Sequence, residues 1–134
     1  MKFFRYNYSE KKLLDDENDD DENDDDIIIP IKIGQNANEN KDLIDEAGKS
    51  DLWFHIDDLP SPHGIIYISQ SNVKNVNDIV KDKHLINIVA NLVRDNSKYK
   101  NHKLKIIYCP INNLSHGDKI GSVFLKSSPK SIKI

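Results

Sequence analysis

Residues 15–26 read DDENDDDENDDD, ten carboxylates and two asparagines without one apolar side chain. Adjacent carboxylates repel, and nothing in the run offsets the entropy lost on ordering, so it can join no strand, helix or core. Two β-prone stretches, FFRYNY and IIIPIKI, stand on either side of it. The fold must therefore accept a long polar insertion between two strands, which is tolerable because closure entropy grows only slowly with loop length. A mobile loop over residues 10–26 is expected, and an insert without function of its own is the simplest account of it.

The other segments are punctuated as short strands and helices. Phe4, Tyr6 and Tyr8 recur at period two and predict a first strand. Residues 27–33 predict a second, which Pro30 should confine to a sheet edge or a bulge because it has no N–H to donate. GQNANEN is a turn, after which Asn40 is expected to cap a helix over 41–47 closed by Gly48. LWFHI and GIIYIS, at 52–56 and 64–69, read as an antiparallel hairpin around DDLPSPH.

A helix over 77–96, capped by Asn77, carries a stripe of Ile79, Lys83 (through its stem), Ile86, Val89, Ala90 and Val93, widened by Leu85 and Leu92. A strand over 103–109 sets Leu104, Ile106 and Tyr108 against Lys103, Lys105 and Ile107. After a turn at 117–121, strands are expected at 122–125 and 131–134. Without βαβ regularity this is a single α+β domain, with a largely antiparallel sheet and two main helices. A chain of 134 residues is long enough for one modest core.

Charge divides the chain. The 19 basic residues face 22 acidic ones; without the ten carboxylates of 15–26 they face 12, an excess of seven. From residue 97 to 134 the chain holds eight lysines, at 98, 100, 103, 105, 119, 126, 130 and 133, and one carboxylate, Asp118. Such a block suits a phosphate backbone, with Tyr99 and Tyr108 interleaved, and equally suits a plain solvated surface. The acidic run could compete for these lysines within the chain. No stretch is apolar enough to span a bilayer, the N-terminus lacks the apolar middle of a signal peptide, and the lone Cys109 fits a reducing compartment. Cytoplasmic or nuclear residence follows as an expectation. Cys109 itself reads as a small buried hydrophobe.

No phosphate-cradling glycine loop, GxSxG, HExxH or CxxC is present, which argues against an enzyme and against a cofactor. The most unusual run is Asp51-Leu52-Trp53-Phe54-His55, followed by Pro60-Ser61-Pro62-His63. On a strand, Asp51, Trp53 and His55 share the face opposite Leu52, Phe54 and Ile56. If that face is open, it suits hydrogen bonding and stacking against a base. If a helix covers it, Trp53 fills a second small core and His55 satisfies a buried group. A metal site or an acid–base pair built on His55, His63 and Asp51 is the lesser alternative, since further ligands and a nucleophile are missing.

GQNANENKDLI followed by DLWFHIDDLPSPHGIIYI resembles the signature of the NFACT-R family: a Gly-x-Asn-Ala-x-x-Asn turn, Asp-x-Trp-Phe-His, then a turn ending in His and a strand. KIIYCPINNL and GSVFLKSSPKSIKI continue the resemblance in order, over nearly the whole chain except the acidic insert. The match extends to the family's short, stand-alone members, which continue into a charged helical region beyond the position of Ile134; a shortened form is therefore expected here. The resemblance implies an α+β fold and RNA binding, with ribosome-associated quality control among the larger members and DNA binding linked to the short ones. It marks Gly34, Asn36, Asn40, Asp51, Trp53, Phe54, His55 and His63, with Phe54 in the core and the others as candidate surface. Gln35 stands where Arg or Lys is common, which removes one phosphate contact, and Pro62-His63-Gly64 departs from the usual small residue-His-Val/Ala.

The leading expectation is a non-catalytic RNA- or DNA-binding module. Asn36, Asn40, Asp51, Trp53, His55 and His63 would recognise, and Lys98, Lys100, Lys103, Lys105, Lys119 and Lys126 would attract. A protein-docking module using the Trp53/His55 face or the edge strand 27–33 is the alternative.

Overall fold

The computed structural model describes residues 1–14, 25–73 and 75–134. Seven strands form one sheet in the order β2-β1-β3-β5-β4-β6-β9: β1 Lys2–Asn7, β2 Lys12–Leu14, β3 Ile28–Gly34, β4 Leu52–Ile56, β5 His63–Ile66, β6 Lys105–Pro110 and β9 Lys130–Lys133. A separate hairpin pairs β7 Leu114–His116 with β8 Val123–Leu125. Every pairing among the described residues is antiparallel, in the expected α+β architecture.

Alternation in the central strands gives the sheet two buried faces. Tyr6, Ile29, Ile31, Ile33, Phe54, Ile66 and Ile106 meet Ile79 from α2 (Val76–Val80) and Leu85, Ile86, Val89 and Val93 from α3 (Lys83–Asp95). On the other face Trp53, Ile65, Tyr67 and Cys109 are covered by Leu43 and Ile44 of α1 (Ala37–Glu46) and by Leu114. Gly64 lets α3 lie close on β5: a Cβ there would stand 2.7 Å from the Val93 methyl.

Several expectations need correction. Pro30 sits in an interior strand between β1 and β5. Its carbonyl accepts from the Tyr67 N–H at 2.9 Å, beyond the end of β5. The donor it lacks would point to that same side, where β5 has already stopped, so the sheet loses no ladder bond. α1 starts at Ala37, not Lys41, because Asn36 is the N-cap and accepts from the Glu39 N–H at 2.9 Å. Glu39 in turn accepts from the Gln35 N–H, and Asn40 becomes a buried helical residue.

The single helix expected over 77–96 is two. Asp82 accepts from the Leu85 N–H at 3.0 Å and restarts the chain as α3, leaving Lys83 exposed rather than on the apolar stripe. β5 ends at Ile66, and residues 68–70 form a 3-10 turn. The two last strands do not pair with each other: β8 joins the small hairpin and β9 joins β6. Of the loop expected at 10–26, residues 15–24 lie outside the described residues; Lys12–Leu14 is already strand.

Candidate nucleic-acid interface

The β4–β5 hairpin brings two histidines together. Phe54 opposes Gly64 and Trp53 opposes Ile65, so His55 and His63 face one another at the loop end of the hairpin, with ring centroids 5.1 Å apart. The Trp53 indole N–H donates to His63 Nδ1 at 3.1 Å. Since Nδ1 accepts, the neutral His63 ring carries its proton on Nε2. His55 stacks on Trp53 at 5.4 Å, and its Nδ1 meets the Ile56 carbonyl at 2.5 Å. A carbonyl can only accept, so His55 is protonated on Nδ1 and its Nε2 holds a lone pair. Burial lowers the pKa of both rings, that of His63 to about 3 with help from repulsion by His55.

Two of the three residues expected on the open face of β4 are inside, and Asn40 and His63, also expected at the surface, keep only 8 % and 4 % exposure. Asp51 is wholly buried and Trp53 is 2 % exposed. α1 lies over that side of the sheet, so Trp53 fills the smaller core. The Asp51 carboxylate accepts from the N–H groups of Gly48 and Ser69 and from the Ser69 hydroxyl, each at 2.8 Å. The stacking surface that Asp51 and Trp53 were expected to offer is therefore absent. Phe54 is core, as expected. Cys109 is buried, and burial raises its thiol pKa.

The remaining polar signature residues converge. Asn36, Asn40, His55 and His63 line one open groove of about 690 Å³, between the start of α1, the turn after β4 and the 117–122 loop. The Asn40 side-chain carbonyl accepts from the His63 backbone N–H at 3.3 Å, which ties helix to hairpin. Gly34 makes this possible, since a Cβ there would fall 2.4 Å from that same oxygen. Gly121, at φ +83°, packs on the first residue of α1 in a way no side chain would allow.

Only two of the candidate lysines, Lys98 and Lys119, reach this groove. Lys103 and Lys105 line a different depression with Lys133, and Lys105 stands 3.6 Å from Asp57. Lys130 borders a third depression, between α2 and the 127–130 segment. Lys100 and Lys126 are exposed outside all three. Among the described residues no three His, Cys, Asp or Glu side chains gather as a metal set. No helix there is long and apolar enough to cross a membrane.

The model of the NFACT protein RNA binding domain family matches residues 2–127. The chain belongs to this family. Coiled-coil domain-containing protein 25 of Danio rerio is 37 % identical over 86 residues, 63 % of this chain and 40 % of the relative. The Mus musculus protein of that name is 34 % identical over 86 residues, again 63 % of this chain, and 39 % of its own length. A Dictyostelium discoideum homolog is 33 % identical over 84 residues, 61 % of this chain and 39 % of its own. The chain thus spans about two fifths of these relatives. The C-terminal part of the fibronectin/fibrinogen-binding protein from Streptococcus suis shares the fold, with a TM-score of 0.65 at 24 % identity over 79 % of this chain and 40 % of that one.

In this NFACT RNA-binding domain the signature thus divides into two kinds of residue. Gly34, Asp51, Trp53 and Phe54 build and brace; Asn36, Asn40, His55 and His63 face the groove. The sequence reading missed the opposite wall, made by Ile120, Gly121 and Ser122, and the contribution of Asn96 and Ser97. Gly121 was the available signal, as a turn glycine two residues after Lys119, but nothing local revealed that the turn docks on α1.

Proposed function

We propose that this domain binds single-stranded RNA in the groove between α1, the turn after β4 and the 117–122 loop. One observation carries the reading: Asn36, Asn40, His55 and His63, spread over 28 residues of a signature, come to one concave surface with Lys98 and Lys119. A concave polar groove suits a splayed, unstacked nucleotide better than a duplex, whose base edges lie recessed in its own grooves. The two lysines supply cationic charge for the backbone, and α1 turns its N-terminal, partly positive end toward the same space. Binding is the domain's contribution, without covalent chemistry of its own. A ribosome-linked role in translation quality control, in the cytosol or nucleus where Cys109 stays a thiol, belongs to the same proposal.

Docking of a protein on the Trp53/His55 face or on strand 27–33 loses support, because Trp53 is buried and β3 lies inside the sheet. The test is fluorescence-anisotropy titration of single-stranded RNA, duplex RNA and duplex DNA across a salt series. Single-stranded RNA should bind best, with affinity falling as salt rises. Lys98→Ala/Lys119→Ala should weaken it and make the slope of log K against log salt shallower by about 1.4. An unchanged slope in the double variant, or preference for either duplex, would refute this assignment.

A further inference from the structure

We propose that His55 and His63 act as a matched acceptor–donor pair that hydrogen-bonds the edge of one unstacked nucleobase held in the groove. The inference rests on the RNA-binding reading and deepens it by naming what the inner part of the groove takes.

The fold sets opposite roles on two adjacent imidazoles. His63 receives the Trp53 indole N–H on Nδ1, which leaves Nε2–H as a donor. His55 gives Nδ1–H to the Ile56 carbonyl, which leaves Nε2 as an acceptor. Among the described residues every buried side-chain nitrogen or oxygen has a hydrogen-bond partner. His63 is only 4 % exposed, and its Nε2 has no partner among the described residues, so the exposed sliver of the ring includes that atom. The Asn40 amide behaves alike: its oxygen is taken by the His63 N–H, and its NH₂ is left toward the groove.

This pattern discriminates between the two halves of a nucleotide. A phosphate offers only acceptors, and the lone pair on His55 Nε2 would face them unfavourably. A base edge offers donors and acceptors side by side, which a donor–acceptor pair can satisfy at once. Burial keeps both rings uncharged at neutral pH, so neither becomes a phosphate-binding cation. Pro62 and Ile120 add apolar surface to the same groove, and Ile120 is 61 % exposed. The phosphate is then left to Lys98 and Lys119. Trp53 is a positioning residue: it acts on the base through the His63 tautomer.

The experiment compares binding of a labelled eight-nucleotide oligouridylate with a ribose-phosphate oligomer of equal length that lacks all bases. The full chain, His55→Asn and His63→Asn are titrated with both; each asparagine can keep the internal bond made by Nδ1 while removing Nε2. The unmutated chain should prefer the base-bearing strand by about tenfold or more, the worth of one good pair of base-edge hydrogen bonds. Each variant should shrink that preference toward unity with the salt slope unchanged. Nitrogen-15 spectra of the imidazoles should show His63 as the Nε2–H tautomer and His55 as the Nδ1–H tautomer. Equal, salt-dependent binding of both strands by the unmutated chain would overturn the base-edge pair while leaving RNA binding intact. Binding of neither strand at low salt would overturn both readings.

Discussion

Asp51 lies in the most recognisable stretch of the sequence, and its removal should cost stability rather than RNA affinity. Its carboxylate is wholly buried and accepts three hydrogen bonds, two from backbone N–H groups and one from the Ser69 hydroxyl. In Asp51→Asn one oxygen becomes an NH₂ facing donors. The Ser69 hydroxyl can turn to accept from it, but one N–H, of Gly48 or of Ser69, is left without a partner. An orphaned buried N–H costs about 1–3 kcal/mol. Asp51→Ala strips both N–H groups of their acceptor and should cost about 2–5 kcal/mol. Urea unfolding at pH 7 measures the loss, and anisotropy on the still-folded Asn variant measures affinity. We expect a lowered urea midpoint with RNA affinity within about twofold of the parent, since a residue outside the groove leaves the contacts intact. Unaltered stability together with a tenfold loss of affinity would show that Asp51 meets the ligand, and would refute the separation of bracing from binding residues.

Gly64→Ala puts a Cβ 2.7 Å from a stiff Val93 methyl on α3, so the helix must move; a loss of about 1–3 kcal/mol is expected by thermal or urea unfolding, and a neutral effect would mean that α3 does not pack there as described. The buried His63 gives stability a defined pH dependence. Its pKa is about 3 folded against 6.5 unfolded, so between these values the unfolded chain binds the extra proton and stability falls as pH falls. From pH 7 to pH 5 this one group should remove about 2 kcal/mol, and His63→Asn should flatten the profile. A wild-type profile that is flat over that range would contradict the burial of a neutral ring.

Much of the fold was legible because its signals are local. β4 matches the expected 52–56 limits, and Phe4, Tyr6 and Tyr8 all pack on the larger core. The errors arose where a neighbour decided the outcome. Pro30 reads as an edge residue unless one knows that β5 ends opposite it. Asn36 and Asn40 are equally good caps by type; only the first has Glu39 three residues on, whose carboxylate reaches back to the Gln35 N–H. The same holds for the site. Alternation correctly put Asp51, Trp53 and His55 on one face but could not reveal that α1 covers the first two and leaves His55 at the rim. The lysine-rich tail is a compositional fact that the fold disperses: two lysines enter the groove, three gather elsewhere, and one of those three has an acidic neighbour.

The most direct test of the groove is an amide chemical-shift titration of the nitrogen-15-labelled chain with a short single-stranded RNA. Shifts should concentrate at Ala37, Asn40, His55, His63 and Gly121, with Lys103, Lys105 and Lys133 changing little. Shifts centred on the β6–β9 lysines, with the groove silent, would mean that the basic edge binds RNA and that the signature residues serve the fold alone.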